Sequence, residues 1–264
     1  MKLKVLGSGQ DAGIPQIGCY CKNCQLARRY KKHRRFGPSI ALINNNKSIL
    51  IDASPDLKYQ YDMIIDDTPI DAIFLTHTHL GHCHGLWFLG KESMDIKNMK
   101  VFSTASVKRA ISKAYPLLLQ NKNIQISTIQ PNRSTSINGF KFTPIEVPHR
   151  NEIADTVGYI IDSRIRTMYL SDLDHWTDEI IEIIVSCDLA LVDGSFYSKN
   201  EIPRYDQVMH PPVIESLKVL KDLDTAVYFT HLNHTNPLNR PGKERDLIKK
   251  HGFKIAYDGM TLKI

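Results

Sequence analysis

The sequence predicts a mixed α/β layered fold, on two observations. Short β-rich runs alternate with amphipathic segments along the whole chain. Two early β-rich runs are joined by Asn44-Asn45-Asn46, residues that accept the positive φ of a hairpin turn.

In chain order, runs rich in β-branched and aromatic residues predict strands over 2–6, 39–43, 48–52, 71–75, 100–103, 124–129, 141–147, 157–162, 167–170, 189–193, 226–230 and 253–257. Segments with apolar residues three and four apart predict helices over 22–33, 55–65, 83–91, 106–119, 176–186, 212–220 and 243–250. The stretch 194–210 reads as a long loop carrying Phe196, Tyr197, Pro203, Tyr205 and His210, the kind of loop that often forms a lid. No repeat, low-complexity linker or composition break divides the 264 residues, so one domain over 1–264 is expected.

Composition narrows the class. An apolar fraction of 42% and a charged fraction of 23% are those of an ordinary soluble globular chain, with length enough for a real core. Apolar runs such as 180–185 are too short to span a bilayer, and the opening residues lack the apolar length of a signal peptide. The expectation is a cytoplasmic protein with no membrane partner; a homodimer is compatible with the sequence. The modest net charge of +6 suits phosphate-bearing or nucleic-acid ligands; a small phosphate-bearing substrate is expected and nucleic acid is not favoured. The basic run from Arg28 to Arg35 could attract RNA or a phosphorylated ligand but reads more readily as a solvated helix face; Gly7-Ser8-Gly9 is a weak phosphate-loop signal without the Walker lysine and serine, and a tight turn after the first strand suffices.

The chemistry concentrates in two clusters. Thr76-His77-Thr78-His79-Leu80-Gly81-His82-Cys83-His84-Gly85 places four imidazoles within eight residues, directly after an apolar strand. Further polar residues follow other strands: His149, Asp172 and His231. Neutral imidazoles and a carboxylate suit zinc, manganese or iron, and strand ends that converge on one rim would form such a site. Asp193 and Asp52 are expected behind it, orienting imidazoles, as is Asp56; the alternative for Asp52 or Ser54 is a helix N-cap ahead of Pro55. Asp174 and His175 read as loop residues, and His84 as a helix-surface or outer residue. In the second cluster, Cys19, Cys21 and Cys24 form Cys-x-Cys-x2-Cys. Three thiolates this close can wrap one structural zinc with a fourth ligand from elsewhere, and His234 is the candidate.

The order of histidine cluster, Val147-Pro148-His149, Leu170-Ser171-Asp172 and Thr230-His231-Leu232-Asn233-His234 resembles the metallo-β-lactamase superfamily over nearly the whole chain. That resemblance implies a four-layer αββα sandwich with one or two catalytic ions at one edge. It implies that His77, His79 and His149 hold a first ion, His82 and His231 a second, and that Asp172 bridges them. The family pattern His-x-His-x-Asp-His has an acid where this chain has Gly81, so the second site is expected to be weaker, remodelled or empty.

The cysteine cluster with His234 is similar to the phosphodiesterase branch of phosphonate metabolism. In that branch a histidine placed like His210 is the general acid; the alternative is a residue that caps the following helix. Leu6-Gly7-Ser8-Gly9 through Ile14-Pro15-Gln16, the segment 51–57 and Thr235-Asn236-Pro237 resemble the pyrroloquinoline-quinone biosynthesis B family, whose histidine motif departs from the hydrolase pattern. The leading expectation is a metal-dependent phosphodiester hydrolase using water activated at the metal, with His210 and Asp172 as catalytic residues. The rivals are an iron-dependent oxygenase or cofactor-maturation protein, and a non-catalytic family member that binds a ligand or partner.

Overall fold

The computed structural model describes residues 1–65, 69–150, 153–203 and 205–264; residue 204 of the predicted long loop lies outside them. The first sheet is built from β1 (Lys2–Gly7), β2 (Ser39–Asn44), β3 (Lys47–Ile51), β4 (Ile70–Phe74), β5 (Met99–Ser103) and β6 (Ile124–Thr128). The second is built from β7 (Thr135–Ile137), β8 (Phe140–Glu146), β9 (Val157–Asp162), β10 (Arg166–Leu170), β11 (Leu189–Asp193), β12 (Ala226–Thr230) and β13 (Lys254–Ile255). The chain then returns to the first sheet as β14 (Thr261–Lys263), giving the orders β14-β1-β2-β3-β4-β5-β6 and β13-β12-β11-β10-β9-β8-β7.

The α-helices are α1 (Lys22–Arg29), α2 (Leu57–Asp62), α3 (Leu80–Cys83), α4 (Ala105–Ala114), α5 (Pro116–Gln120), α6 (Asp178–Val185), α7 (Val213–Leu220) and α8 (Lys243–Lys250), with short 3-10 turns between elements. Strands β3 to β6 pair in parallel, as do β10 to β13. Parallel neighbours need crossovers, and the helices supply them on the outer faces. One core cluster joins the first sheet to Leu57, Val107, Ile111 and Leu118 of α2, α4 and α5. Another joins the second sheet to Ile180, Leu217 and Ile248 of α6, α7 and α8. The third lies between the sheets. The layers are therefore α, β, β, α, as the resemblance implies.

The sheets meet through aromatic rings. Phe74 of β4 stacks on Phe142 of β8 at 4.1 Å and on Phe102 at 4.6 Å, with Tyr159 of β9 edge-on at 5.7 Å. Tyr159 Oη donates to the Leu75 carbonyl at 2.6 Å, tying the end of β4 to the second sheet one residue before the histidine cluster begins.

Several elements differ from expectation. The helix predicted over 106–119 is two, because Pro116 cannot donate within a helix and Tyr115 leaves helical geometry at φ −127 and ψ 57. The helix over 22–33 ends at Arg29, where Tyr30 turns extended, and a 3-10 turn covers Lys31–His33. The helix over 83–91 begins earlier as α3 and continues as a 3-10 turn over His84–Leu89. The helix over 55–65 contracts to α2, whose N-cap position is Asp56 rather than Ser54 or Asp52. Edge strands β7 and β14, three residues each, were not expected. Arg35 is not part of a solvated face: it is buried and donates to Ser8 Oγ and the Ala256 carbonyl.

Replacing Phe74 with alanine removes the ring that both sheets share. Phe74→Ala is expected to lower unfolding free energy by about 3–5 kcal/mol, read as a lower urea midpoint at unchanged m-value.

Candidate metal centre

Strands from both sheets end at one edge, and their following residues converge there. The ends of β3, β4, β8, β10, β11 and β12 lead to Asp52, His77, His149, Asp172, Asp193 and His231. Ligand atoms of His77, His79 and His149 lie within 4.8 Å of one another, as do those of His77, His82 and Asp172. Asp172 spans the cluster. Its Oδ2 is 3.3 Å from His82 Nε2, and its Oδ1 is 3.6 Å from His149 Nε2 and 3.5 Å from His231 Nε2. His79 Nδ1 is 3.3 Å from His149 Nε2.

Each inner imidazole is fixed from behind. His82 Nδ1 donates to Asp52 Oδ2 at 2.7 Å, and His149 Nδ1 donates to Asp174 Oδ1 at 2.9 Å. His77 Nδ1 bonds Thr76 Oγ1 at 2.9 Å, and that hydroxyl donates to Asp52. His231 Nδ1 bonds Ser195 Oγ at 2.9 Å. On the inner side, His77 Nε2, His82 Nε2, His231 Nε2 and Asp172 Oδ2 are buried and make no hydrogen bond. Buried polar atoms that make no hydrogen bond are costly, and imidazole nitrogens gathered around a carboxylate fit cation binding. An outer hydrogen bond that sets the tautomer while the other nitrogen faces inward is the arrangement of metal-binding histidines.

The electrostatics agree with that fit. Burial holds His77 and His231 below the usual imidazole range, and burial with His149 pushes His79 down to about 4, so these rings are neutral donors at pH 7. Asp172 is buried, yet His231, His82 and His77 keep its carboxyl well below the usual range. Burial opposes charge on His82, but Asp172 and Asp52 outweigh it and carry its pKa up to about 9. The carboxylates thus draw positive charge to the spot between His82 and Asp172, which a divalent ion would supply while displacing the proton.

His210 stands beside this cluster, with ligand atoms near those of His149 and Asp172. Its Nδ1 donates to Asp193 Oδ2 at 2.6 Å, and its Nε2 lies 3.5 Å from Gln10 Nε2. Burial disfavours the imidazolium, while Asp193 and Asp172 more than compensate, so its pKa is raised. Asp193 also accepts from Leu173 N and Ser195 N. It therefore orients His210 directly, and His231 only through Ser195.

The second cluster joins Cys19, Cys21, Cys24 and His234, whose ligand atoms all lie within 4.8 Å. Cys19 Sγ and Cys21 Sγ are 3.4 and 3.6 Å from His234 Nδ1. Backbone N–H groups of Gln16 and Cys21 donate to Cys24 and Cys19 sulfurs, and Asn23 Nδ2 donates to the His234 carbonyl at 2.8 Å. Arg28 ties the loop down by donating to the Cys19 and Gln16 carbonyls. Three thiols and an imidazole at this spacing match a tetrahedral zinc site.

The remaining residues fall outside these clusters or behind them. His84 is exposed and packs edge-on to Tyr115. Asp56 accepts from Gly37 N instead of an imidazole. Asp174, expected to be a loop residue, holds His149. Thr76 and Ser195 were not anticipated, although each lies within two residues of a strand end. Asp11 was missed as well: its ligand atom lies within 4.8 Å of those of His82 and His231. Asp11 comes from a loop with no strand-end pattern, and only the missing acid at Gly81 hints at it.

The family model described as Beta-lactamase superfamily domain matches residues 47–232. The coenzyme PQQ synthesis protein B of Nitrosococcus oceani is 26% identical over 99% of this chain and 99% of its own length. The Zn2+-bound PqqB of Methylobacterium extorquens superposes with a TM-score of 0.90 at 24% identity, covering 100% of both chains. A diphosphatase from the PhnP family superposes with a TM-score of 0.78 at 25% identity, over 100% of this chain and 97% of that one. With a family match over most of its length and this fold, the chain belongs to the β-lactamase superfamily as a protein of the metallo-β-lactamase fold.

Proposed function

We propose that the chain is a metal-dependent hydrolase that cleaves a phosphodiester in a small, phosphate-bearing substrate. His77, His79, His149 and Asp172 would hold a first zinc, manganese or iron ion, and His82, His231 and Asp172 a second. Cys19, Cys21, Cys24 and His234 would hold a structural zinc. The observation that carries the reading is the set of buried, inward atoms of His77, His82, His231 and Asp172 that make no hydrogen bond, each ring fixed from its outer side. Ions bound there would supply Lewis acidity and would lower the pKa of a coordinated water.

The chain's own residues then orient and move protons. Asp172 keeps its charge and shares it between the two groups of imidazoles. Asp193 fixes the His210 ring with Nδ1 outward, so Nε2 is the atom that hands a proton to the leaving oxygen. A raised pKa keeps that proton available near neutrality. The likeness to the PhnP-family diphosphatase favours phosphorus as the centre attacked. Histidines at positions 77 and 79 favour hydrolysis as well.

The full-length likeness to PQQ synthesis protein B favours a second reading, an iron-dependent oxygenation in cofactor maturation. Oxygen uptake by anaerobically iron-loaded protein would support it, and turnover indifferent to oxygen would reject it.

Elemental analysis separates the sites. Cys21→Ser is expected to lose one zinc per chain and keep the histidine-bound metal, while His79→Ala loses metal from the histidine cluster and keeps the cysteine zinc. With an aryl phosphodiester, His210→Ala is expected to lower kcat by about 10²–10⁴-fold. Equal turnover by His210→Ala and wild type would remove His210 from the mechanism. Absence of any turnover with zinc, manganese and iron in turn would reject the hydrolase.

A further inference from the structure

We propose that Asp11 supplies the second-site carboxylate that Gly81 cannot, so that the N-terminal loop completes the metal centre. The inference rests on the two-ion reading above and adds a ligand to it from a different segment of the chain.

Space gives the first argument. A Cβ on Gly81 would lie 2.4 Å from Asp11 Cα, 3.0 Å from its carbonyl carbon and 2.9 Å from its Oδ1. The backbone of Asp11 therefore occupies the place that any side chain at position 81 would enter. Glycine at 81 is the condition for the loop to lie there, and the carboxylate it brings lies beside the position the missing acid would have used.

Orientation gives the second. The Asp11 carboxylate, an imidazole nitrogen of His82 and one of His231 lie within 4.8 Å of one another. Both rings are fully buried, both have Nδ1 engaged on the outer side, and both leave Nε2 without a hydrogen bond. The two donors the second site already has are thus the two that Asp11 faces. With Asp172 the site then has two imidazoles and two carboxylates, a donor set suited to a divalent ion.

Anchoring gives the third. Gly9 forms a parallel bridge to Leu232, and Gln10 N donates to the Leu232 carbonyl at 3.0 Å. Gly9 N donates to the Phe36 carbonyl, and Gly13 N to the Gln10 carbonyl. The loop is therefore fastened to the residue that follows His231. Asp11 sits at φ +38, a left-handed conformation that costs a non-glycine residue energy and persists where the surroundings enforce it. His231 is left-handed as well, at φ +59.

The test is zinc and cobalt titration of wild type, Asp11→Asn and Gly81→Ala, with affinity read by competition against a chromogenic chelator. The thiolate-to-cobalt band in the near ultraviolet reports the cysteine site separately, and thermal unfolding confirms that each variant is folded. Wild type is expected to bind two ions at the histidine cluster. Asp11→Asn should keep one of them and weaken the other by about 100-fold, at or beyond the upper end of the effect of losing an outer hydrogen-bond partner. Gly81→Ala should weaken the same ion although it removes no ligand, because the added methyl displaces the Asp11 backbone. An Asp11→Asn titration that overlays wild type overturns the proposal. A wild type that binds a single ion at the histidine cluster also overturns it while leaving the first site standing; a wild type that binds none there rejects the two-ion reading itself.

Discussion

The buried carboxylate of Asp52, just past β3, accepts from Thr76 N, from Thr76 Oγ1 and from His82 Nδ1. Two strands of the first sheet are thereby locked at their ends, and the chain leaving β4 is aimed back across the edge. His77 is held through Thr76, and His82 directly. Asp52 has no exposure and lies at φ +65, a backbone region that favours glycine. Three donors, Thr76 N, Thr76 Oγ1 and His82 Nδ1, hold its carboxylate there. Around the same turn, a Cβ on Gly85 would lie 2.2 Å from the Ser54 carbonyl oxygen, so the histidine segment can settle onto Asp52 only with glycine there.

This arrangement costs stability. Desolvated imidazoles and a desolvated aspartate gather with several inner atoms making no hydrogen bond, and burial alone would push the two types of group toward neutrality from opposite directions. Instead Asp172 stays ionised and His82 takes up the compensating charge. The fold carries the cost elsewhere, in the aromatic contact of Phe74, Phe142 and Tyr159 between the sheets and in the helices covering both outer faces.

Much of this was legible in the sequence because the controlling pattern is local. A strand-like run followed at once by His or Asp marks His77, His149, Asp172 and His231, and the fold brings all of these to one edge. The bounds of β9, β11, β12 and α8 coincide with those expected, since apolar periodicity and flanking turn residues agree there. The break at Pro116 is carried by one residue, and the apolar spacing on either side of it conceals the change. Strands of three residues such as β7 and β14 are too short to show a period of two. Asp174 and Asp11 were out of reach for another reason. The partner of Asp174 is 25 residues away and those of Asp11 are about 70 and 220 away, and what brings them in is loop geometry with no repeating signature.

The cysteine loop has a consequence for the chain as a polymer. Its thiols come from residues 19–24, and its imidazole from residue 234, so an ion bound among them closes a loop of about 210 residues. By the chain-entropy argument used for disulfides, a crosslink of that span removes on the order of 5 kcal/mol of freedom from the unfolded ensemble. The pairing of β14 with β1 draws together the same two regions of the chain. Such a clasp would do for a reduced chain what a cystine bridge does for an oxidised one, and unlike that bridge it would open to a chelator.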